Sequence, residues 1–328
     1  MTRSRNLPFY ATLVVFILAF ALCATQFPAM LSTRVIANLL TDNAFLGIAA
    51  VGMTFVILSG GIDLSVGSVI AFTSVFVAVA VGSLGLHPLT AFILVLCLST
   101  AFGAMMGLMI RFLAIPPFVV TLAGMFLARG AAYLVSTESV PISHPFIDAI
   151  QATFIRLPGG GRLTAMAMLM LLVFAVGGII ASRTRFGSNV YALGGNIQSA
   201  ELMGVAVGRT TVAIYALSGF LSGLSGIAYT LYTSSGYSLA TVGIELDAIA
   251  AVVIGGTLLT GGSGLVAGTL VGILIQGLIQ TYIVFDGTLS SWWTKIVIGI
   301  LLFVFIALQR GIIWYSNTRA MARAARGT

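Results

Sequence analysis

Residues 59–68 read SGGIDLSVGS, and the stretches on either side make them decisive. AAVGMTFVIL (49–58) precedes them and VIAFTSVFVAVA (69–80) follows, and both are apolar enough to lie in lipid. Gly60 and Gly61 can end one helix without a Cβ penalty, and Asp63 can N-cap the next. The 39 residues from Ala44 to Gly82 cover about two membrane spans, which puts the break near a surface. Cap and turn is therefore the first reading of Asp63. The second is a polar device inside the membrane, on a pathway or at its gate, because carboxylates at that depth are costly and mark function.

Composition extends this reading to the whole chain. Of 328 residues, 59% are hydrophobic and 7% charged. A soluble domain carries roughly 25% charged residues, so this chain cannot cover a soluble surface. It reads as an all-α, polytopic membrane helix bundle forming one transmembrane domain over 1–328. The net charge of +7 comes from cations scattered between apolar runs. A nucleic-acid site would cluster them. Cys23 and Cys97 sit in apolar runs as small hydrophobes, and His87 and His144 each precede a proline in a polar connection, as solvated loop residues do. No spacing suits a metal cluster or a catalytic triad. The N-terminus resembles a secretory signal, but its run from Pro8 to Thr25 is about long enough to span and reads as an uncleaved first helix.

Runs of spanning length fall near 8–27, 42–59, 64–82, 89–110, 117–135, 163–182, 211–233, 246–260, 264–284 and 292–309, about ten transmembrane helices. With the N-terminus inside, the inner segments hold Arg3, Arg5, Arg111, Arg183, Arg185, Arg209, Arg310, Arg319, Arg323 and Arg326. The outer loops hold Arg34, Arg156 and Arg162. That bias places both termini in the cytoplasm. Trp292, Trp293, Trp314 and Tyr315 suit interfacial belts, and Lys295, the single lysine, can snorkel outward. A long outer connection covers about 136–162, and a long inner one covers about 183–210.

Two patterns stand out within the runs. SGGIDLSVGSV (59–69) is echoed, with one gap, by TGGSGLVAGTL (260–270), an internal repeat in which Ser263 would replace Asp63 as the cap. Such repeats flank the pathways of many transporters. Gly264, Gly268, Gly272, Gln276 and Gln280 recur every four residues, a stripe whose glycines suit close helix packing. Gln276 and Gln280 then point inward. They either bond neighbouring helices or line a translocation pathway and offer hydrogen bonds to a neutral solute.

AVGMTFVILSGGIDLSVGSVIA (50–71), TRFGSNVYALGGNIQSAELMGV (184–205) and ELDAIAAVVIGGTLLTGGSG (245–264) resemble the permease subunits of bacterial monosaccharide ABC importers, the ribose/xylose/galactose class. TDNAFLGIAAVGM (41–53), LPGGGRL (157–163) and the stretch 275–311 are similar, within that class, to permeases of galactofuranose importers. The resemblance implies an ABC importer permease fold in the bacterial inner membrane. It implies two ATPase subunits using ATP and magnesium, a periplasmic sugar-binding protein and a second permease chain, related but distinct in the galactofuranose case. It also assigns ATPase docking to Gly194, Gly195, Asn196, Ala200, Glu201 and Gly204 of the inner segment. The residues agree: Asn196 can cap a short helix, and Ala200 and Gly204, four apart, would share a face open to a partner.

The chain has no G-x-x-x-x-G-K-[ST] phosphate loop, so it holds no nucleotide cofactor and is not itself the motor. The alternative is an ion-coupled secondary sugar transporter, which needs intramembrane ionisable groups. The other acids lie in or beside outer connections or in the inner loop, so only Asp63 remains as a carrier, with Arg129 the one cation well inside a run. Arg129 reads as a structural residue bonded to a carboxylate or to helix-end carbonyls. A membrane-embedded enzyme would need converging His, Asp or Cys groups, and the sequence offers none.

Overall fold

The computed structural model describes the backbone of residues 7–324 and side chains over residues 9–308. Arg3, Arg5 and Arg326 lie outside the described residues, as do the side chains of Arg310, Trp314, Tyr315, Arg319 and Arg323.

Every apolar run carries a helix, although not every run is helical throughout. The first half of the chain gives α1 (Leu7–Gln26), α2 (Thr33–Asp42), α3 (Ala44–Leu58), α4 (Val66–Gly82), α5 (Pro88–Phe112) and α6 (Pro117–Val135). The second half gives α7 (Pro145–Gln151), α8 (Ala165–Arg183), α9 (Arg185–Gly195), α10 (Ile197–Leu202), α11 (Val207–Thr233), α12 (Ile244–Ile254), α13 (Val266–Asp286) and α14 (Trp292–Ala324). Among these, six are long and apolar enough to cross a bilayer, or seven if α2 and α3, bent by 55° at Asn43, form one span. The expectation of ten complete spans exceeds these lengths. With 11 residues, α12 reaches ~16 Å at ~1.5 Å per residue, about half a ~30 Å hydrocarbon core. Its run was counted as a span because the glycine-rich segment after Ile254 carries no charge, yet it does not continue the helix.

The centre of the bundle is α11, packed on α5, α3 and α4. Small residues make this possible: a Cβ on Gly219 would come within 3.1 Å of the Gly103 Cα. Close approach of backbones replaces the apolar driving force that lipid cannot supply. Hydroxyls in the interior bond to carbonyls, as Ser225 Oγ does to the Phe45 oxygen at 2.5 Å.

The connection 136–162 is ordered rather than an open loop. Strand β1 (Val140–Pro141) pairs antiparallel with β4 (Ser235–Gly236), and β2 (Phe154–Arg156) pairs with β3 (Arg162–Thr164). Gln151 Nε2 donates to the Leu231 carbonyl at 2.6 Å and ties the segment to the end of α11. The two histidines do more than sit in solvent. His87 Nδ1 accepts from the Leu89 amide and His144 Nδ1 from the Phe146 amide, so each caps the helix that its proline starts. This end of the molecule is called the loop end below. The opposite end carries α9 and α10.

Candidate functional site

Three features of the bundle carry the candidate site. At the loop end, a cavity of about 630 Å³ opens between the α2–α3 corner, the end of α11, α12, α13 and the start of α14. Its position follows from local sequence. Asn43 bends the chain between α2 and α3, donates from Nδ2 to the Leu39 carbonyl at 2.9 Å, and leaves Asp42 at the rim. Tyr232 donates to Asp42 Oδ1 at 3.1 Å, and Lys295 Nζ donates to Asp247 Oδ1 at 2.7 Å across the mouth. Phe45, Tyr229, Tyr232 and Trp292 supply ring surface to the wall.

The floor is set by the glutamine stripe. On α13, Gly268 and Gly272 face Gly255 and Ala251, and a Cβ on either glycine would collide with those carbonyls. One turn further, Gln276 Nε2 donates to the Asp247 carbonyl at 3.0 Å and completes the same row. Gln276 is 3% exposed and its Oε1 has no partner. Gln280, another turn on, is exposed in the cavity. The structural reading is met by Nε2, which bonds a neighbouring helix, whereas Oε1 is enclosed and unpartnered. Gly264 does not belong to the stripe, because it precedes α13.

Below this floor, toward the other end, the two glycine-rich loops meet. The loops 59–65 and 255–265 break the α3–α4 and α12–α13 units. Gly262 N donates to the Leu58 carbonyl at 2.9 Å. A Cβ on Gly261 would lie 2.7 Å from Gly60 N and 3.0 Å from the Gly194 Cα, and one on Gly262 would lie 2.9 Å from the Gly195 Cα. Three backbones thus touch without side chains between them. Gly60, Gly261 and Gly262 hold φ of +83°, +83° and +74°, which only glycine adopts freely.

Asp63 belongs to this junction and not to a surface. It is 1% exposed. Its Oδ1 accepts from the Ser65 amide at 2.9 Å and from Ser65 Oγ at 2.6 Å, while Oδ2 accepts from Ser218 Oγ of α11 at 2.6 Å. The cap position of α4 is Ser65, so Asp63 shapes the turn before the helix and ties it to α11. Ser263 does not repeat this role: Leu265 precedes α13, and Ser263 offers only its carbonyl, to Leu258 N. Sequence signalled the turn but not the partner, since Ser218 lies 155 residues away.

The inner segment places its expected docking residues unequally. Asn196 caps α10, its Oδ1 accepting from Ser199 N at 2.7 Å. Ala200 is fully buried, and Gly204, beyond the end of α10, closes it with φ +79°. Val205 N bonds the Ala200 carbonyl and Gly204 N the Glu201 carbonyl, a Schellman turn. Ala200 and Gly204 therefore share no helix face, because α10 ends at Leu202. Glu201 pairs with Arg111 at 3.1 Å. Gly195 is open, whereas Gly194 packs into the junction. Sequence missed the apolar tip beside them, where Leu202 is 90% and Met203 73% exposed.

Arg129 bonds backbone carbonyls, but they belong to a turn and not to a helix end, and among the described residues no carboxylate bonds it. Its Nη1 donates to the carbonyls of Ser238 and Ala240, both at 2.7 Å, and holds the segment before α12 against α6. Among the described residues, no group of His, Cys, Asp and Glu could hold a metal ion.

A family model described as the branched-chain amino acid transport system / permease component matches residues 35–306. The chain belongs to this permease family. Among its relatives, the inner membrane ABC transporter permease protein YjfF of Escherichia coli K12 is 65% identical, covering 94% of this chain and 93% of that protein. The fructose import permease FruG of Bifidobacterium longum is 36% identical over 93% of this chain and 91% of its own. The ribose import permease RbsC of Bacillus subtilis is 39% identical, with 86% and 87% covered. No solved structure matches. The permease is thus a multi-pass membrane protein whose cavity and junction lie within the matched region, as do its helices from α3 to α13.

Proposed function

We propose that the chain is the membrane-spanning subunit of an ATP-driven importer of a monosaccharide, with galactofuranose as the favoured sugar. The observation that carries the reading is the cavity with Gln276 at its floor. It offers neutral amides, paired charges and ring faces, which suit a polyhydroxylated solute. The names of relatives that import ribose and fructose point the same way, and galactofuranose rests on the resemblance of 41–53, 157–163 and 275–311. ATP hydrolysis belongs to partner ATPases seated against α10, a periplasmic binding protein delivers the sugar at the loop end, and a related second permease completes the path. Both termini then lie in the cytoplasm. Through Gly194, the segment seated on the ATPase touches the junction directly. Ion coupling fares worse, because both oxygens of Asp63 are already held by serine donors.

The test is uptake into proteoliposomes holding the permease with its ATPase, second permease and binding protein. Sugar should enter only with ATP, and an uncoupler should leave the rate unchanged. Uptake driven by an ion gradient without ATP would overturn the reading.

A further inference from the structure

The 630 Å³ cavity lies within one chain and has the size of a small-molecule site. Its polar groups define what it can hold. Gln276 lines the cavity, and its Oε1 is enclosed and without a partner, an acceptor still unused beside the floor. The outer oxygen of Asp42 and the Gln280 amide add hydrogen-bonding capacity at the rim. The cation on the wall, Lys295, is engaged by Asp247. A carboxylate or phosphate ligand would thus meet Asp42 and find no free positive charge. An amino-acid zwitterion could offer its ammonium to Asp42, but its carboxylate would find no free cation. A ligand rich in hydroxyl donors, uncharged, with C–H faces to lay on Tyr229, Tyr232 or Trp292, suits the groups that line the cavity.

We propose that this cavity is a sugar-binding subsite carried by the single permease chain, with Gln276 Oε1 as its floor acceptor and Asp42 and Gln280 at its rim. The inference rests on the sugar-import reading and deepens it. The permease then selects among sugars itself, instead of passing whatever the binding protein delivers.

The test uses the permease complex in nanodiscs, without binding protein or ATP, titrated with methyl β-D-galactofuranoside, D-galactose, D-ribose and leucine. Saturation-transfer NMR should report at least one sugar binding saturably and leucine not at all. Gln276→Met should weaken that sugar at least tenfold in a complex that still assembles. Asp42→Asn, which keeps the bond to Tyr232, should weaken it several-fold and decides the matter if Gln276→Met does not assemble. Absence of sugar binding, binding of leucine, or unchanged affinity in an assembled variant would overturn the subsite. ATP-driven sugar uptake alongside any of those results would show that the import reading stands and only the subsite fails.

Discussion

Gly194→Ala is the sharpest perturbation that the junction allows. The new methyl would overlap the Leu58 carbonyl oxygen and lie 2.9 Å from its carbon, and it would also press on Gly262 N. Those are the acceptor and donor of one hydrogen bond, 2.9 Å long, and neither is a side chain that could rotate away. Overpacking of this kind costs about 1–3 kcal/mol. Loss of the buried bond adds about 1–3 kcal/mol. Alanine's better helix propensity in α9 returns about 1 kcal/mol. The net loss is about 1–5 kcal/mol, a fall of roughly a hundredfold in the folded ratio at the middle of that range. Gly195→Ala, one residue on and facing open space, should stay within about 0.5 kcal/mol. Survival of the monodisperse peak after heating in detergent compares the pair. Equal midpoints for the two variants would refute the account of the junction.

Four further outcomes follow from the same geometry. Arg129→Gln should reduce folded protein in the membrane, since two carbonyls at 2.7 Å lose a charged donor worth about 1.5–3 kcal/mol each; normal abundance with lost uptake would instead make Arg129 a pathway residue. Asp63→Asn, which can still bond Ser65 and Ser218, should keep most abundance, whereas Asp63→Ala strands both serines and should lower stability by about 2–4 kcal/mol, read by the same heating assay. The double change Leu202→Ser and Met203→Ser should leave abundance intact and abolish co-purification with the ATPase; retained co-purification would move docking elsewhere. A cysteine at Ser143, an exposed position, should react with an impermeant reagent in intact spheroplasts, and labelling only after lysis would invert the orientation.

The helices were legible because lipid imposes a simple rule on sequence: a run is apolar or it does not span. The α6 run was placed at its observed limits, 117–135. What the rule could not register is whether a run stays helical, so the half-length α12 was read as a span. Asp63 shows the same limit in the site. Its local turn was visible in SGGIDLS, but its partner on α11 and the touching echo loop are distant in sequence and carry no periodic signal. Gln276 was found because a stripe is periodic. The exposed tip of α10 was missed because Ala200 and Gly204 were assumed to continue one helix, and the left-handed Gly204 ends it.

The small residues along α11 bear on how the protein is made. Its central stretch, with Ser218, Gly219, Ser222, Gly223, Ser225 and Gly226, is less apolar than α5 or α8 and is largely enclosed by protein. Left alone in a bilayer, it would gain least from lipid among the long helices. Its neighbours α3, α4 and α5 are all synthesised before it. When α11 leaves the ribosome, the groove that receives its glycine face already stands in the membrane. Chain order thus supplies a template for the helix that needs one, and moving α11 ahead of α3 by circular permutation would remove that template while keeping every contact of the finished protein.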